Sequence, residues 1–160
     1  MKVAIVMGSK SDYPVVQKAE QMLERFHVAY ETRILSAHRT PKQAEAFAAE
    51  AEAEGFGCII AAAGKAAHLA GVLAAITPLP VIGIPMKSST LDGLDSLFSV
   101  VQMPKGVPVA TVAIDGAENA ALLAVQILGT ADPALRQAMK DFKRQQEEDI
   151  LALDRDFQKK

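Results

Sequence analysis

Short apolar segments alternate with longer amphipathic segments along most of the chain. Five of the short segments are rich in β-branched residues and run directly into turn residues, which is the pattern of buried strands. They cover residues 3–7, 29–34, 58–62, 81–84 and 109–114. Because nearly every position in them is apolar, the segments predict a parallel sheet that is covered on both faces.

The segments between the first strands have the spacing of helices. One apolar stripe follows the positions i, i+4, i+7, i+8 and i+11, and a second stripe lies between the second and third predicted strands. The stripes consist of Val15, Ala19, Met22, Leu23 and Phe26, and of Ala44, Phe47, Ala48 and Ala51. Charged residues, Glu20 among them, are predicted on the opposite faces. The alternation of strands and helices predicts an α/β fold, a three-layer αβα sandwich with about five parallel strands.

The C-terminal segment departs from this alternation. Asp132 and Pro133 are typical of a helix start, with a capping carboxylate followed by proline in the first turn. A long helix with an apolar stripe follows, and no strand is left for it to cover. We therefore expect it to pack on a neighbouring subunit or across its own, so that residues 1–131 form the catalytic domain and residues 132–160 a helical extension of that domain.

Composition and charge narrow the possible partners. The 160 residues are half hydrophobic, enough for one domain with a substantial core. The 17 basic and 19 acidic residues give a net charge of -2 without a basic block that would indicate a nucleic-acid partner, although a small anionic ligand stays possible. The N-terminal apolar stretch is too short for a membrane span, and Cys58 lies in an apolar run. We expect a cytoplasmic protein with no membrane partner and with Cys58 buried in the core.

Parallel strands end at a common edge of their sheet, so the loops that follow them should converge. After the first three strands these loops are residues 8–12, 36–41 and 64–68, and the fourth strand leads into residues 83–90. Residues 91–106 are rich in Gly, Ser and Asp, and we interpret them as a lid or a subunit contact. The sequence therefore predicts a site between these loops.

The first loop has features of a phosphate site. Gly8 permits close approach of the backbone, and the hydroxyls of Ser9 and Ser11 precede a helix whose first amides are unpaired. The alternative is that Ser11 or Asp12 only caps this helix. The chain has no Gly-x-Gly-x-x-Gly or Walker sequence and no acidic residue after the third strand, which leaves a mononucleotide as the favoured ligand.

The second loop places an imidazole beside a guanidinium. Histidine is the residue type whose charge changes near neutral pH, and Arg39, next to His38, is a permanent cation suited to bidentate anion contacts. We interpret His38 as a general base, with a backbone-bonded loop histidine as the alternative, and we give His68 in the third loop a supporting role, with simple packing as its alternative. No metal site is predicted, because His27 lies at the far end of the first helix and no ligand spacing is present.

Several of these motifs together resemble one enzyme family. They are residues 8–12 (Gly-Ser-Lys-Ser-Asp), 36–41 (Ser-Ala-His-Arg-Thr-Pro), 66–69 (Ala-Ala-His-Leu) with Gly71, and 95–97 (Asp-Ser-Leu) followed by 102–104 (Gln-Met-Pro). In order and spacing they are similar to the bacterial class I N5-carboxyaminoimidazole ribonucleotide mutases of de novo purine synthesis. The resemblance runs from Val3 to about Gly129.

The resemblance implies a flavodoxin-like domain in a homo-octamer, with sites at subunit contacts and no metal or organic cofactor. It implies transfer of a carboxyl group from nitrogen to carbon 4 of aminoimidazole ribonucleotide (AIR), through carbon dioxide, with His38 as acid and base. The substrate-binding residues that it and the loops imply are Gly8, Ser9, Ser11, Asp12, Ser36, Arg39, Gly64 and Lys65. The synthase that makes N5-carboxyaminoimidazole ribonucleotide is the implied partner in the pathway.

Three differences from the usual family pattern concern loops. Gly64-Lys65 replaces a Gly-Gly pair, Ala70 replaces a proline, and residues 115–118 are shorter than the usual insertion. Lys65 either reaches a ligand carboxylate or points to solvent. Two other functions stay open at this point, namely an AIR carboxylase that uses free carbon dioxide and a non-catalytic module that binds a mononucleotide.

Overall fold

A five-stranded parallel sheet forms the centre of the computed structural model, which describes residues 1–159. The strands are β1 (Lys2–Met7), β2 (Tyr30–Ile34), β3 (Phe56–Gly64), β4 (Val81–Met86) and β5 (Ala110–Thr111). Their order across the sheet is β2-β1-β3-β4-β5, and every pair is parallel. This is the flavodoxin-like order, which confirms the predicted fold. The last strand has only two residues, far fewer than the predicted 109–114.

Helices cover both faces of this sheet. They are α1 (Tyr13–Arg25), α2 (Pro41–Glu50), α3 (Leu69–Ala74), α4 (Leu94–Val101), α5 (Ala117–Leu128) and α6 (Pro133–Phe157), and a 3-10 turn at Lys10–Asp12 precedes α1. Helices α1, α5 and the start of α6 pack on one face, and α2, α3 and α4 pack on the other. Within residues 1–159, no helix is long and apolar enough to cross a membrane.

The continuous apolar character of the strands follows from this three-layer arrangement. Along β1, Val3 and Ile5 face the core under α1 and α5, whereas Ala4 and Val6 face the core under α2 and α3. All four are fully buried, because successive side chains of a strand point to opposite faces and both faces are covered here.

The interior contains one thiol and one carboxylate of note. Cys58 lies fully buried in β3, where burial raises the pKa of its thiol to about 12, so the residue behaves as a small hydrophobe, as predicted. Glu20, predicted on the solvent face of α1, is instead buried. It accepts hydrogen bonds from the hydroxyls of Tyr13 and Thr32, which satisfy its carboxylate at the edge of the core.

Part of the stretch interpreted as a lid or a subunit contact is a packed helix. Helix α4 buries Ser96 and Val100, and Val100 approaches Gly83 of β4 so closely that a side chain at position 83 would have no room. Leu94 and Phe98 lie on its exposed side. The Gly, Ser and Asp residues around α4 hid this helix from sequence-based prediction.

The C-terminal helix α6 starts as predicted and packs on its own subunit over its first half. The Asp132 carboxylate accepts hydrogen bonds from the amides of Ala134 and Leu135, at 2.9 and 3.3 Å. Met139 is buried against α5, and the ring of Phe142 lies 5.5 Å from that of Phe26. The second half leaves Ile150, Leu151, Leu153 and Phe157 exposed.

Candidate active site

One cavity of about 440 Å³ lies at the carboxyl edge of the sheet, where the loops after β1, β2, β3 and β4 meet. All ten residues singled out from the sequence line it, which follows from the parallel arrangement of the strands. They are Gly8, Ser9, Ser11, Asp12, Ser36, His38, Arg39, Gly64, Lys65 and His68.

The loop after β1 directs hydroxyls and a carboxylate toward this cavity. The Ser9 hydroxyl accepts hydrogen bonds from the Ser11 amide at 3.3 Å and the Ser11 hydroxyl at 2.8 Å, so Ser9 is the residue that caps the 3-10 turn. Asp12 stands at the start of α1 but makes no capping bond with its side chain. Its carboxylate therefore keeps acceptor capacity for a ligand.

The Asp12 carboxyl has a perturbed pKa. Partial burial in the cavity wall raises the pKa, and the negative charge of Asp115 adds to the rise, while hydrogen bonds from Ser11 and from the Ser9 backbone act in the opposite direction. The rise means that burial removes part of the hydration of the ionised carboxylate. Donor groups of a ligand would relieve this deficit.

The two glycines of the cavity wall are not required by packing within the chain. A Cβ atom at Gly8 would lie 3.9 Å from the carbonyl oxygen of Ala62, and one at Gly64 would lie 3.5 Å from Cβ of Met86. Both are ordinary van der Waals distances. The fold itself would thus accept alanine at either position, and the space that glycine leaves is available to a ligand.

Arg39 joins the loop after β2 to the loop after β1. Its Nη2 donates to the Gly8 carbonyl at 2.8 Å, and its Nε lies 3.4 Å from the Ser36 hydroxyl, which also accepts from the Arg39 amide at 3.2 Å. A guanidinium has five N–H donors, and the side chain uses two of them here. The remaining donors are available to an anion in the cavity.

His38 and His68 form a hydrogen-bonded pair across two loops. Nε2 of His38 lies 2.9 Å from Nδ1 of His68, and the two rings meet edge to face at 87°. Such a bond needs an N–H on one ring and a lone pair on the other, so it fixes how the two imidazoles face each other across the loops. The pair does not form part of a larger ligand set, since residues 1–159 contain no cluster of three or more His, Cys, Asp or Glu side chains arranged to hold a metal ion.

The backbone of Lys65 adopts an unusual conformation. Its φ angle is 56°, in the left-handed region that glycine enters freely and most other residues avoid. The Lys65 carbonyl accepts hydrogen bonds from the Ala67 amide at 2.8 Å and from the Ser99 hydroxyl at 3.4 Å. These bonds hold the loop, so a lysine occupies a backbone position that suits the glycine usual in the resembled family.

The loop after β4 contributes residues that the sequence analysis did not include among the site residues. Met86, Lys87, Ser88 and Ser89 line the cavity opposite Arg39. Ser88 is buried and donates to Asp95 at 2.7 Å, and Nζ of Lys87 lies 3.7 Å from Asp92. These residues could have been included from the sequence, because they directly follow a predicted strand. The same argument had identified the other three loops.

Comparisons with known proteins agree with the motifs of these loops. The AIR carboxylase family model matches residues 2–149. The N5-carboxyaminoimidazole ribonucleotide mutase of Pyrococcus horikoshii is 57% identical over 156 residues, which cover 95% of this chain and 88% of that protein. The phosphoribosylaminoimidazole carboxylase of Saccharomyces cerevisiae is 56% identical over 149 residues, 93% of this chain but 26% of that protein. The crystal structure of Treponema denticola PurE matches with a TM-score of 0.86 at 30% identity, over 94% of each chain.

Proposed function

Since the chain belongs to the AIR carboxylase family, we propose that it is an N5-carboxyaminoimidazole ribonucleotide mutase of de novo purine synthesis. The enzyme moves the carboxyl group of N5-carboxyaminoimidazole ribonucleotide to carbon 4, giving 4-carboxy-5-aminoimidazole ribonucleotide. The reaction is an isomerisation. It needs a site that binds a ribonucleotide and moves one proton.

The observation that carries this proposal is the position of the histidine pair. His38 and His68 are hydrogen-bonded at 2.9 Å in the same cavity that holds Arg39 and the serine hydroxyls. Proton transfer and anion binding are therefore available to one ligand. A cavity with anion-binding groups alone would support binding but not interconversion.

The residues around the histidine pair bind different parts of the nucleotide. The unused donors of Arg39 and the hydroxyls of Ser9, Ser11 and Ser36 bind the phosphate. Asp12 accepts hydrogen bonds from the ribose hydroxyls, which relieves the under-solvation that raises its pKa. Gly8 and Gly64 leave room for the ligand against the backbone.

His38 serves as acid and base in the transfer. The carbamate C–N bond breaks, carbon dioxide leaves, and the amino nitrogen takes a proton from His38 to give AIR. Carbon 4 of AIR then attacks the carbon dioxide, and His38 takes up the proton that carbon 4 loses, so the proton count returns to its starting value. His68 supports His38 through their hydrogen bond, and no metal or organic cofactor enters this scheme.

The test compares two matched substitutions. His38→Asn is expected to lower kcat by about 10²–10⁴-fold, the usual contribution of a general acid or base, with the dissociation constant of the product changed less than about threefold. His27→Asn is the control, because His27 lies in the turn after α1, away from the cavity, and asparagine tolerates its φ of 55°. Normal turnover by His38→Asn would show that the role given to His38 is wrong.

A second candidate is an AIR carboxylase that uses free carbon dioxide. The similarity to the S. cerevisiae carboxylase favours testing it. The parent protein is supplied with AIR and bicarbonate, without ATP, and separately with N5-carboxyaminoimidazole ribonucleotide. A mutase prefers the carbamate, whereas efficient turnover of AIR at modest bicarbonate would support the carboxylase. Binding without turnover of either compound would indicate a non-catalytic module.

The proposal also covers the assembly of the enzyme, its location in the cell and its partner in the pathway. The enzyme is a cytoplasmic homo-octamer that receives its substrate from N5-carboxyaminoimidazole ribonucleotide synthase, and the second half of α6 extends from the catalytic domain onto a neighbouring subunit. The exposed apolar side chains of α4 and of the second half of α6 support such contacts. Light scattering should give about eight times the chain mass of 17.0 kDa, and a monomer would contradict a site shared between subunits.

A further inference from the structure

Lys65 is a cation in the cavity wall that the mechanism above does not use. It belongs to the loop between β3 and α3, three residues before His68, and it lines the same cavity as His38. Within residues 1–159, no carboxylate lies within 4.0 Å of its ammonium group, whereas Lys87, the other lysine of the wall, pairs with Asp92. Lys65 is thus the unneutralised lysine of the site.

The backbone conformation of Lys65 gives a second and independent indication. A residue with a long side chain loses about 1–2 kcal/mol in the left-handed region, relative to its ordinary conformations. The loop nevertheless holds Lys65 at a φ of 56° through the two hydrogen bonds that its carbonyl accepts. Glycine would remove this strain, so the cation stands in the cavity wall at a cost to the backbone.

The position of Lys65 separates it from the phosphate-binding groups. Arg39 donates to the Gly8 carbonyl, so its charge lies over the β1 loop together with the serine hydroxyls. Strand β3 lies on the side of β1 away from β2, and its loop carries Lys65 and His68. The histidine pair joins these two sides. A nucleotide with its phosphate at Arg39 and its base at the histidines therefore extends its base toward Lys65.

We propose that the ammonium group of Lys65 binds the carboxylate of the substrate, so that Lys65 is a specificity-determining residue for carboxylated nucleotides. The inference rests on the proposed mutase function, because that reaction places a carboxylate on the base both before and after the transfer. An ammonium group that binds this carboxylate in the substrate and again in the product stabilises both bound states to a similar extent. Its effect is on affinity and on KM, with little effect on kcat.

The experiment measures binding of two ligands that differ by the carboxylate alone. Lys65→Met is expected to weaken binding of 4-carboxy-5-aminoimidazole ribonucleotide about tenfold, the size of one charged hydrogen bond in a partly open cavity, and to raise KM for the carbamate by a similar factor. Binding of AIR should change less than about twofold, and so should kcat. Lys65→Arg should keep most of the discrimination, because it keeps the charge.

Two further variants separate charge from backbone. Lys65→Gly removes the cation together with the strain, and it should lose the same discrimination as Lys65→Met while folding at least as stably. Lys18→Met, on the exposed side of α1 and outside the cavity lining, removes the same charge and should leave the binding of both ligands unchanged.

The outcomes distinguish this inference from the proposed function. If Lys65→Met weakens the binding of both nucleotides equally, Lys65 contacts the phosphate or the ribose and the inference is wrong. If the binding of both nucleotides is unchanged, Lys65 points to solvent and the inference is wrong as well. If the parent protein shows no mutase turnover, the proposed function fails. A loss in Lys65→Met confined to the carboxylated nucleotide would still support the carboxylate contact in that case.

Discussion

Replacing Gly83 by alanine should destabilise the fold, because the added methyl group would lie between the sheet and α4. A Cβ atom at position 83 would lie 2.4 Å from Cγ1 of Val100 and 3.0 Å from Cγ1 of Val109, with Cβ of Ala70 at 3.4 Å on another side. Carbon atoms in contact are about 3.5–4.0 Å apart, so the contact with Val100 is short by about 1.1–1.6 Å. Val100 is 1% exposed, and α4 must therefore shift away from β4.

The expected loss can be compared with a matched substitution. Overpacking of a core costs about 1–3 kcal/mol, and replacing glycine by alanine returns about 0.4–1 kcal/mol through the unfolded state, so Gly83→Ala should lose about 1–2 kcal/mol. In Gly71→Ala the new Cβ meets only the flexible end of Met103, at 2.7 Å from Cε. Alanine also favours helix α3 by about 0.8–1.0 kcal/mol, and this variant should stay within about 0.5 kcal/mol of the parent.

Urea and thermal unfolding at one fixed protein concentration measure the difference. Gly83→Ala should lower Tm by about 2–8 °C, whereas Gly71→Ala should leave it nearly unchanged. Mutase activity of Gly83→Ala should fall as well, because the Ser88–Asp95 hydrogen bond joins α4 to the cavity wall. Equal stability of the two alanine variants would refute the claim that Val100 and the sheet leave no space at position 83.

Two other predictions concern the cavity. Asp12→Asn should raise stability at pH 7 by less than about 1 kcal/mol, since the raised pKa of Asp12 means that its ionised form costs stability when folded and the half-buried carboxyl is screened by solvent. The gain should shrink as pH falls through the raised pKa toward the ordinary value of 3.8, and thermal unfolding at pH 7 and pH 3 measures it. Gly8→Ala should keep the Tm of the parent while raising KM about tenfold or more, because its Cβ meets no chain atom closer than 3.9 Å. A lowered Tm with unchanged KM would show that Gly8 serves the fold.

The sequence predicted the location of the cavity because that prediction needed only strand positions and chain direction. Apolar runs identified β1 to β4, and parallel strands deliver their following loops to one edge. This argument placed Gly8, Ser36 and Gly64 beside one another without any knowledge of side-chain contacts. It also extended to Ser89, although that residue was not chosen from the sequence.

Other features depended on contacts that periodicity does not encode. The bond between His38 and His68 needs two ring orientations set by separate loops, and no spacing in a sequence specifies them. Helix α4 is apolar at five of its eight positions, and it was missed because the interpretation of residues 91–106 rested on the flanking Gly, Ser and Asp residues. Glu20 was placed on the wrong side of α1 because its carboxylate accepts a hydrogen bond from Thr32 of β2, a contact that the spacing within α1 does not encode.

The short length of β5 and the charges of β2 also determine how copies of this chain can meet. An outermost strand with free backbone groups can pair with the same strand of another molecule. Here the outer strand at one edge of the sheet is β5, which consists of only Ala110–Thr111. On the other border, Glu31 is held between Lys2 at 3.3 Å and Arg33 at 3.1 Å, and these ions would lose water in a continuous sheet. Growth of the sheet from molecule to molecule is thereby disfavoured, and self-association is directed to the helical layers.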